Sequence, residues 1–199
     1  MAYWLKLQKR YHNFPMKRAV FFVLIAISLR LFPHIPNFAP VTAIALFGGA
    51  YLNKRTAIFL PLLIMVISDY LLLYISPYGS NFSQIHPLTS LFHSTTLFVW
   101  GSFLISSLIG IWISKKKTFS RVGFAAVLAS LQFFIITNFG VWITSGMYTM
   151  DLAGLTRCFV MALPFYRGTF LGDIFYTGLF FGGFELVKYY SKRFNFLKI

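Results

Sequence analysis

Three ionisable side chains stand in stretches where almost everything else is apolar: Arg30, Asp69 and Asp173. A charge at the centre of a membrane helix costs about 2.5–3.5 kcal/mol on insertion scales, so each needs a partner, water or a task. Two carboxylates and one guanidinium permit three chemistries. An Arg–Asp pair can hold helices together. A water-filled polar floor can receive a small polar or anionic solute. Two carboxyls sharing one proton can run acid–base hydrolysis. One cation against two carboxylates leaves a charge over, which favours the solute site above a closed pair.

Further polar groups fall near the same level. Asn138 has Trp142 and Ser145 on its helical face at i+4 and i+7, and Thr169, Asp173, Tyr176 and Thr177 make one polar stripe. Counted at 1.5 Å per residue from the expected span ends, Arg30, Asp69 and Asp173 lie roughly 5–12 Å below the outer surface. The expected site therefore comprises Arg30, Asp69, Asn138 and Asp173 as a floor, with Tyr176, Trp142 and Arg167 as further contacts. Arg157 and Tyr148 complete its rim, and His93 lies close by. No cofactor is expected. Cys158, the single cysteine, reads as a structural thiol.

Elements able to carry these groups follow from composition. The 199 residues are 58% hydrophobic, 20% aromatic and only 11% charged. A soluble domain of this size still exposes about a third of its unfolded surface and could not hide so much apolar area. The chain is expected to be an all-α polytopic membrane protein with six spans, over 19–32, 41–52, 56–76, 89–114, 122–145 and 165–189. The second is short for a span. Residues 151–163 read as a separate short helix ended by Pro164. Gly48-Gly49, Gly168-x-x-x-Gly172 and Gly178-x-x-x-Gly182 read as close-packing sites, and the 25 phenylalanines as lipid-facing bulk.

The net charge of +14 would suggest nucleic acid were it clustered on a folded face. Instead the cations form islands at Lys6–Arg18, Lys54/Arg55, Lys115–Arg121 and Lys188–Lys198. Cytoplasmic loops account for that spacing and put both termini inside. The domain reading is a basic, aromatic interfacial segment over 1–18, one transmembrane domain over 19–190 and a basic tail over 191–199. Lipid is the expected surface partner, not nucleic acid, and the bacterial cytoplasmic (inner) membrane the location. No phosphate loop, His-Glu-x-x-His or Gly-x-Ser-x-Gly motif is present, so uphill transport would draw on an ion gradient or a partner subunit.

Arg30-Leu-Phe-Pro-His-Ile-Pro-Asn-Phe-Ala-Pro40, Ala45-Leu-Phe-Gly-Gly-Ala50, Ser68-Asp69, Thr137-Asn-Phe-Gly-Val-Trp142 and the stretch from Pro164 through Leu171-Gly-Asp173 to Thr177 carry a resemblance. Together they resemble an uncharacterised bacterial family described only as candidate transport proteins, over about Arg30 to Gly183. In architecture the chain is similar to the substrate-capturing S-components of energy-coupling-factor transporters. That likeness implies an outward-facing pocket for a vitamin-like solute and docking on energising subunits through an Ala-x-x-x-Ala surface. Here Ala39-x-x-x-Ala43 has that spacing, and it straddles Pro40. A solute-binding transport component is the leading expectation. An intramembrane aspartyl hydrolase using Asp69 and Asp173, and a non-transporting structural partner, are the alternatives.

Overall fold

The computed structural model describes residues 16–31, 37–76, 79–80 and 91–194. The interfacial segment expected at the N-terminus falls outside these up to residue 15, as do His34, His86 and most of the loop expected over 77–88. The described chain forms six helices: α1 (Met16–Leu31), α2 (Val41–Tyr51), α3 (Lys54–Tyr74), α4 (Thr96–Ser114), α5 (Phe119–Thr144) and α6 (Leu152–Phe194). After α3, a two-residue antiparallel ladder pairs Ile75 with Ser80 and Ser76 with Gly79, a small departure from an all-helical chain.

Four helices, α3 to α6, are long and apolar enough to cross a membrane. α1, with 16 residues, and α2, with 11, are shorter. Phe59, Leu97, Phe124, Leu163, Phe165 and Leu186 are all more than half exposed on the outside of the bundle. Phenylalanine does not only face outward, however. Phe47 of α2 packs against Phe180, Phe181 and Phe184 of α6 at centroid separations of 5.4–6.3 Å and belongs to the core.

The short helix is the centre of the fold. Every residue from Val41 to Ala50 is buried, as expected of a helix that is apolar on all sides. Its sequence permits that because Gly49 presents no side chain to α4. A Cβ there would lie 2.3 Å from the Ser107 carbonyl oxygen, and one on Gly110 would lie 2.4 Å from that of Leu46. The two backbones are in contact. Gly48, by contrast, has ordinary room around it, with its nearest neighbours 3.6 Å away. Polar side chains tie the surrounding helices: Ser107 Oγ donates to the Ala57 carbonyl of α3 at 2.9 Å, and Gln132 Nε2 of α5 donates to Ser106 Oγ of α4 at 2.9 Å. In apolar surroundings such bonds are a main source of helix association.

α6 corrects the expected short helix over 151–163. It runs unbroken for 43 residues with Pro164 in its interior. Proline removes one helical hydrogen bond, but the turns on either side continue, and the helix extends for about 65 Å, twice the hydrocarbon thickness. Gly178 and Gly182 correct another expectation: nothing lies within 4 Å of a Cβ on either. Gly172 does fit its expectation, with the Phe38 backbone 3.1 Å from the Cβ position.

The turn before α6 is set by Asp151. Its Oδ1 accepts the Gly154 backbone N–H at 2.7 Å and the Thr149 hydroxyl at 2.8 Å, satisfying a donor that the first turn would otherwise leave open. Those two bonds, the backbone one first, hold the Asp151 carboxyl below its ordinary value of 3.8. A depressed carboxylate stabilises the cap at every pH above its unfolded value, and the contribution disappears as pH falls through the folded one. The Gly154 amide resonance should therefore lose its hydrogen-bonded shift with a midpoint below 3.8, and Asp151→Ala should abolish that step.

Candidate functional site

Each buried charge reaches the interior by a different route. Arg30 sits one residue from the end of α1, so its long side chain extends from a helix terminus toward α3. Asp69 and Ser68 lie in the last two turns of α3. Arg30 Nη1 reaches Asp69 Oδ1 at 2.8 Å, and the same nitrogen donates to the Ser68 hydroxyl and to Met65 Sδ. Ser68 also donates to the Ile64 carbonyl at 2.6 Å, so the hydroxyl that receives the guanidinium is itself fixed. The pair is largely withdrawn from the surface, with side-chain exposures of 15% and 23%.

Asp173 is different. It lies mid-way along α6, 1% exposed. The hydroxyls of Thr42 on α2 and Ser130 on α5 lie against its carboxyl. Thr42 is delivered there by the chain entering α2: Asn37 adopts a positive φ of 62°, a conformation asparagine tolerates better than most residues. Phe38 then stacks on Phe175 and Tyr176 at 5.6 and 5.2 Å. The absence of a side chain on Gly172 lets that segment lie directly on α6 beside Asp173.

Between these two groups lies a cavity of about 220 Å³. Its polar lining is Arg30, Asn37, Thr42, Thr169 and Asp173; Val99, Phe103 and Phe133 are among its apolar walls. A water molecule occupies about 30 Å³, so the space admits several waters or one small solute. It lies below the roughly 300–1,000 Å³ that holds drug-sized ligands.

The structure thus brings Arg30, Asp69 and Asp173 into one region, Arg30 and Asp173 as cavity walls and Asp69 behind the guanidinium. The other expected site residues are not among the cavity's lining. Asn138 Nδ2 donates to the Phe134 carbonyl of its own helix at 2.7 Å. Trp142 Nε1 donates to the Thr149 carbonyl at 2.9 Å and so braces the turn into α6. Arg167 and Arg157 are exposed on α6. Tyr176 is buried between Phe38 and Phe180. His93 is exposed just before α4. Cys158 is buried, its thiol 3.4 Å from the Asn138 backbone carbonyl. Sequence reasoning missed Thr42, Ser130 and Asn37. The available signal was a hydroxyl in each of two small-residue runs, Val41-Thr-Ala43 and Ala129-Ser130, where a helix can approach closely.

Fold and site define a class: a bundle of apolar, membrane-length helices wrapped around one short buried helix, with a partly polar cavity inside. The chain belongs to the family described as "Family of unknown function (DUF6580)", whose model matches residues 12–195. Comparison with curated proteins and with solved structures gave no match.

Proposed function

We propose that this chain is a multi-pass protein of the bacterial cytoplasmic membrane that binds a small polar or anionic solute in the cavity between Arg30 and Asp173, as the binding component of a transport system. One observation carries the reading: a single cavity is lined by Arg30, by Asp173 and by the hydroxyl-bearing Thr42 and Thr169. A lone helix-fastening ion pair needs no such space. The basic islands support an orientation with both termini cytoplasmic and the 37–40 segment outside, so that the cavity opens outward. Its volume favours a solute smaller than most vitamins.

Two other readings find less support. Arg30 engages Asp69 at 2.8 Å, and no hydrogen bond joins Asp69 to Asp173 among the described side chains, whereas a hydrolytic dyad must share a proton between its carboxyls. A purely structural cluster would be closed and fully paired, yet Asp173 Oδ2 has no hydrogen-bond partner. Docking on energising subunits remains part of the transport reading, but not through Ala39 and Ala43. Ala43 is fully buried and Ala39 lines the cavity, so neither forms an outer surface.

Native mass spectrometry of the purified protein tests the reading, with Thr169→Trp as the variant that fills the cavity. The wild type should carry a small molecule that Thr169→Trp lacks while keeping its thermal stability. Identical release of small molecules from both proteins would overturn solute binding at this place.

A further inference from the structure

The Arg30–Asp69 pair is neutral as a unit, which leaves Asp173 without a counter-charge among the described residues. Its surroundings hold an excess of unsatisfied oxygen. Asp173 Oδ2 and Thr177 Oγ1 are each buried without a hydrogen-bond partner. Asp173 and Thr177 stand one helical turn apart on the same face of α6, and the Thr42 and Ser130 hydroxyls meet the carboxyl from α2 and α5. Three helices thus bring side-chain oxygens to one spot. Buried polar atoms are nearly always partnered, so an orphan carboxyl oxygen with an orphan hydroxyl one turn away marks a missing ligand.

We infer that Asp173, Thr42, Ser130 and Thr177 form a binding site for a small monovalent cation of the sodium type, at the wall of the cavity. Chemistry selects the occupant. Hard, oxygen-only ligands suit an alkali or alkaline-earth ion and not a soft transition metal. A single carboxylate is neutralised by a single positive charge, whereas a divalent ion would leave an excess charge in an apolar interior. A proton would answer the charge at one oxygen, while a metal ion gathers several oxygens at once. Close packing favours the smaller ions: Thr42, Ser130, Asp173 and Thr177 are all under 5% exposed. A cation here also removes the repulsion that a bare Asp173 would exert on an anionic solute at Arg30. The site does not depend on such a solute.

The test therefore contains none. Thermal unfolding of the full chain in detergent is followed at constant ionic strength in sodium, potassium or choline chloride. Sodium should raise the melting temperature saturably, as a ligand of the folded state does, and choline should not. Asp173→Asn, a near-isostere that removes the charge, should unfold as in choline whatever the salt. Thr177→Val should weaken the apparent sodium affinity about tenfold or more. If Asp173→Asn fails to fold, Thr177→Val and Ser130→Ala carry the test. Equal melting in all three salts would overturn the site, as would an undiminished sodium affinity in those variants. Stabilisation by acid alone, with no sodium effect, would put a proton there and overturn it equally. Loss of the solute reading would leave each of these outcomes unchanged.

Discussion

Gly49→Ala should abolish or nearly abolish the folded protein, while Gly48→Ala one residue earlier should be neutral or stabilising. The added carbon is the same, and the difference lies in what it meets. At Gly49 it would stand 2.3 Å from the Ser107 carbonyl oxygen, 2.6 Å from the Ile111 nitrogen and 2.7 Å from the Gly110 carbonyl carbon. All three are backbone atoms of a hydrogen-bonded helix, so no side chain can swing aside and α2 and α4 must separate. Overpacking costs about 1–3 kcal/mol where a core can adjust, occasionally more. With rigid backbone on the opposing wall the cost should exceed about 3 kcal/mol, a large share of the roughly 5–15 kcal/mol that holds a domain together. The damage would spread, because α2 touches nearly every other helix. At Gly48 the nearest atoms are the flexible ends of Leu52 and Leu60 at 3.6 Å, and replacing a mid-helix glycine by alanine gains up to about 1 kcal/mol. Gly178→Ala and Gly182→Ala, open on all sides, should behave like Gly48→Ala. Size-exclusion profiles and melting temperatures of the four variants in detergent decide the matter. A Gly49→Ala protein as monodisperse and heat-resistant as Gly48→Ala would show that the α2–α4 contact is not what fixes the fold.

That contrast also marks how far the sequence could be read. Gly48-Gly49 is visible as a close-packing signal, but which glycine bears the contact depends on the rotation of α2 against α4. A helix that is apolar on every side gives no periodicity from which to derive that rotation. The same loss of information explains α2 itself. Its eleven residues look like a truncated span, and only the assembled bundle shows that it is short because it is enclosed. Charges were far more legible, since in so apolar a chain Arg30, Asp69 and Asp173 stand out by type alone. Their partnership was not, because Arg30 and Asp69 are 39 positions apart and either carboxylate could have met the guanidinium. Pro164 misled for a further reason. Proline ends helices in water, where a freed carbonyl is readily hydrated and nothing favours continuing. Apolar surroundings penalise unwound backbone more heavily, so the helix runs on through it. Thr42 and Ser130 were passed over because single hydroxyls in small-residue runs occur throughout such helices, and only proximity to Asp173 gives these two a meaning.

Removing either half of the Arg30–Asp69 pair should cost about 3–5 kcal/mol, because the surviving charge is left largely buried without its partner. The two losses should not be equal. In Arg30→Met the remaining Asp69 is the more exposed of the two side chains, at 23%, and Ser68 still offers it a hydroxyl nearby. In Asp69→Asn the remaining guanidinium stays charged at any accessible pH. It keeps Ser68 and Met65 as neutral partners. Among the described residues the other carboxylate at its cavity is Asp173, so Arg30 would be drawn across the space where the solute is proposed to sit. Asp69→Asn should therefore be the more damaging change to stability, and it should weaken binding as well. The double variant Arg30→Met/Asp69→Leu removes both charges and replaces them with apolar bulk, and should regain most of the lost stability, as buried ion pairs generally do when exchanged whole. Solute binding should not return with it, because the guanidinium that faces the cavity is gone. A double-mutant cycle on melting temperature, run beside the native mass measurement, separates the two roles. If the double variant were stable and still bound its small molecule, Arg30 would be a fastener alone. Recognition would then rest with Asp173 and the hydroxyls around it.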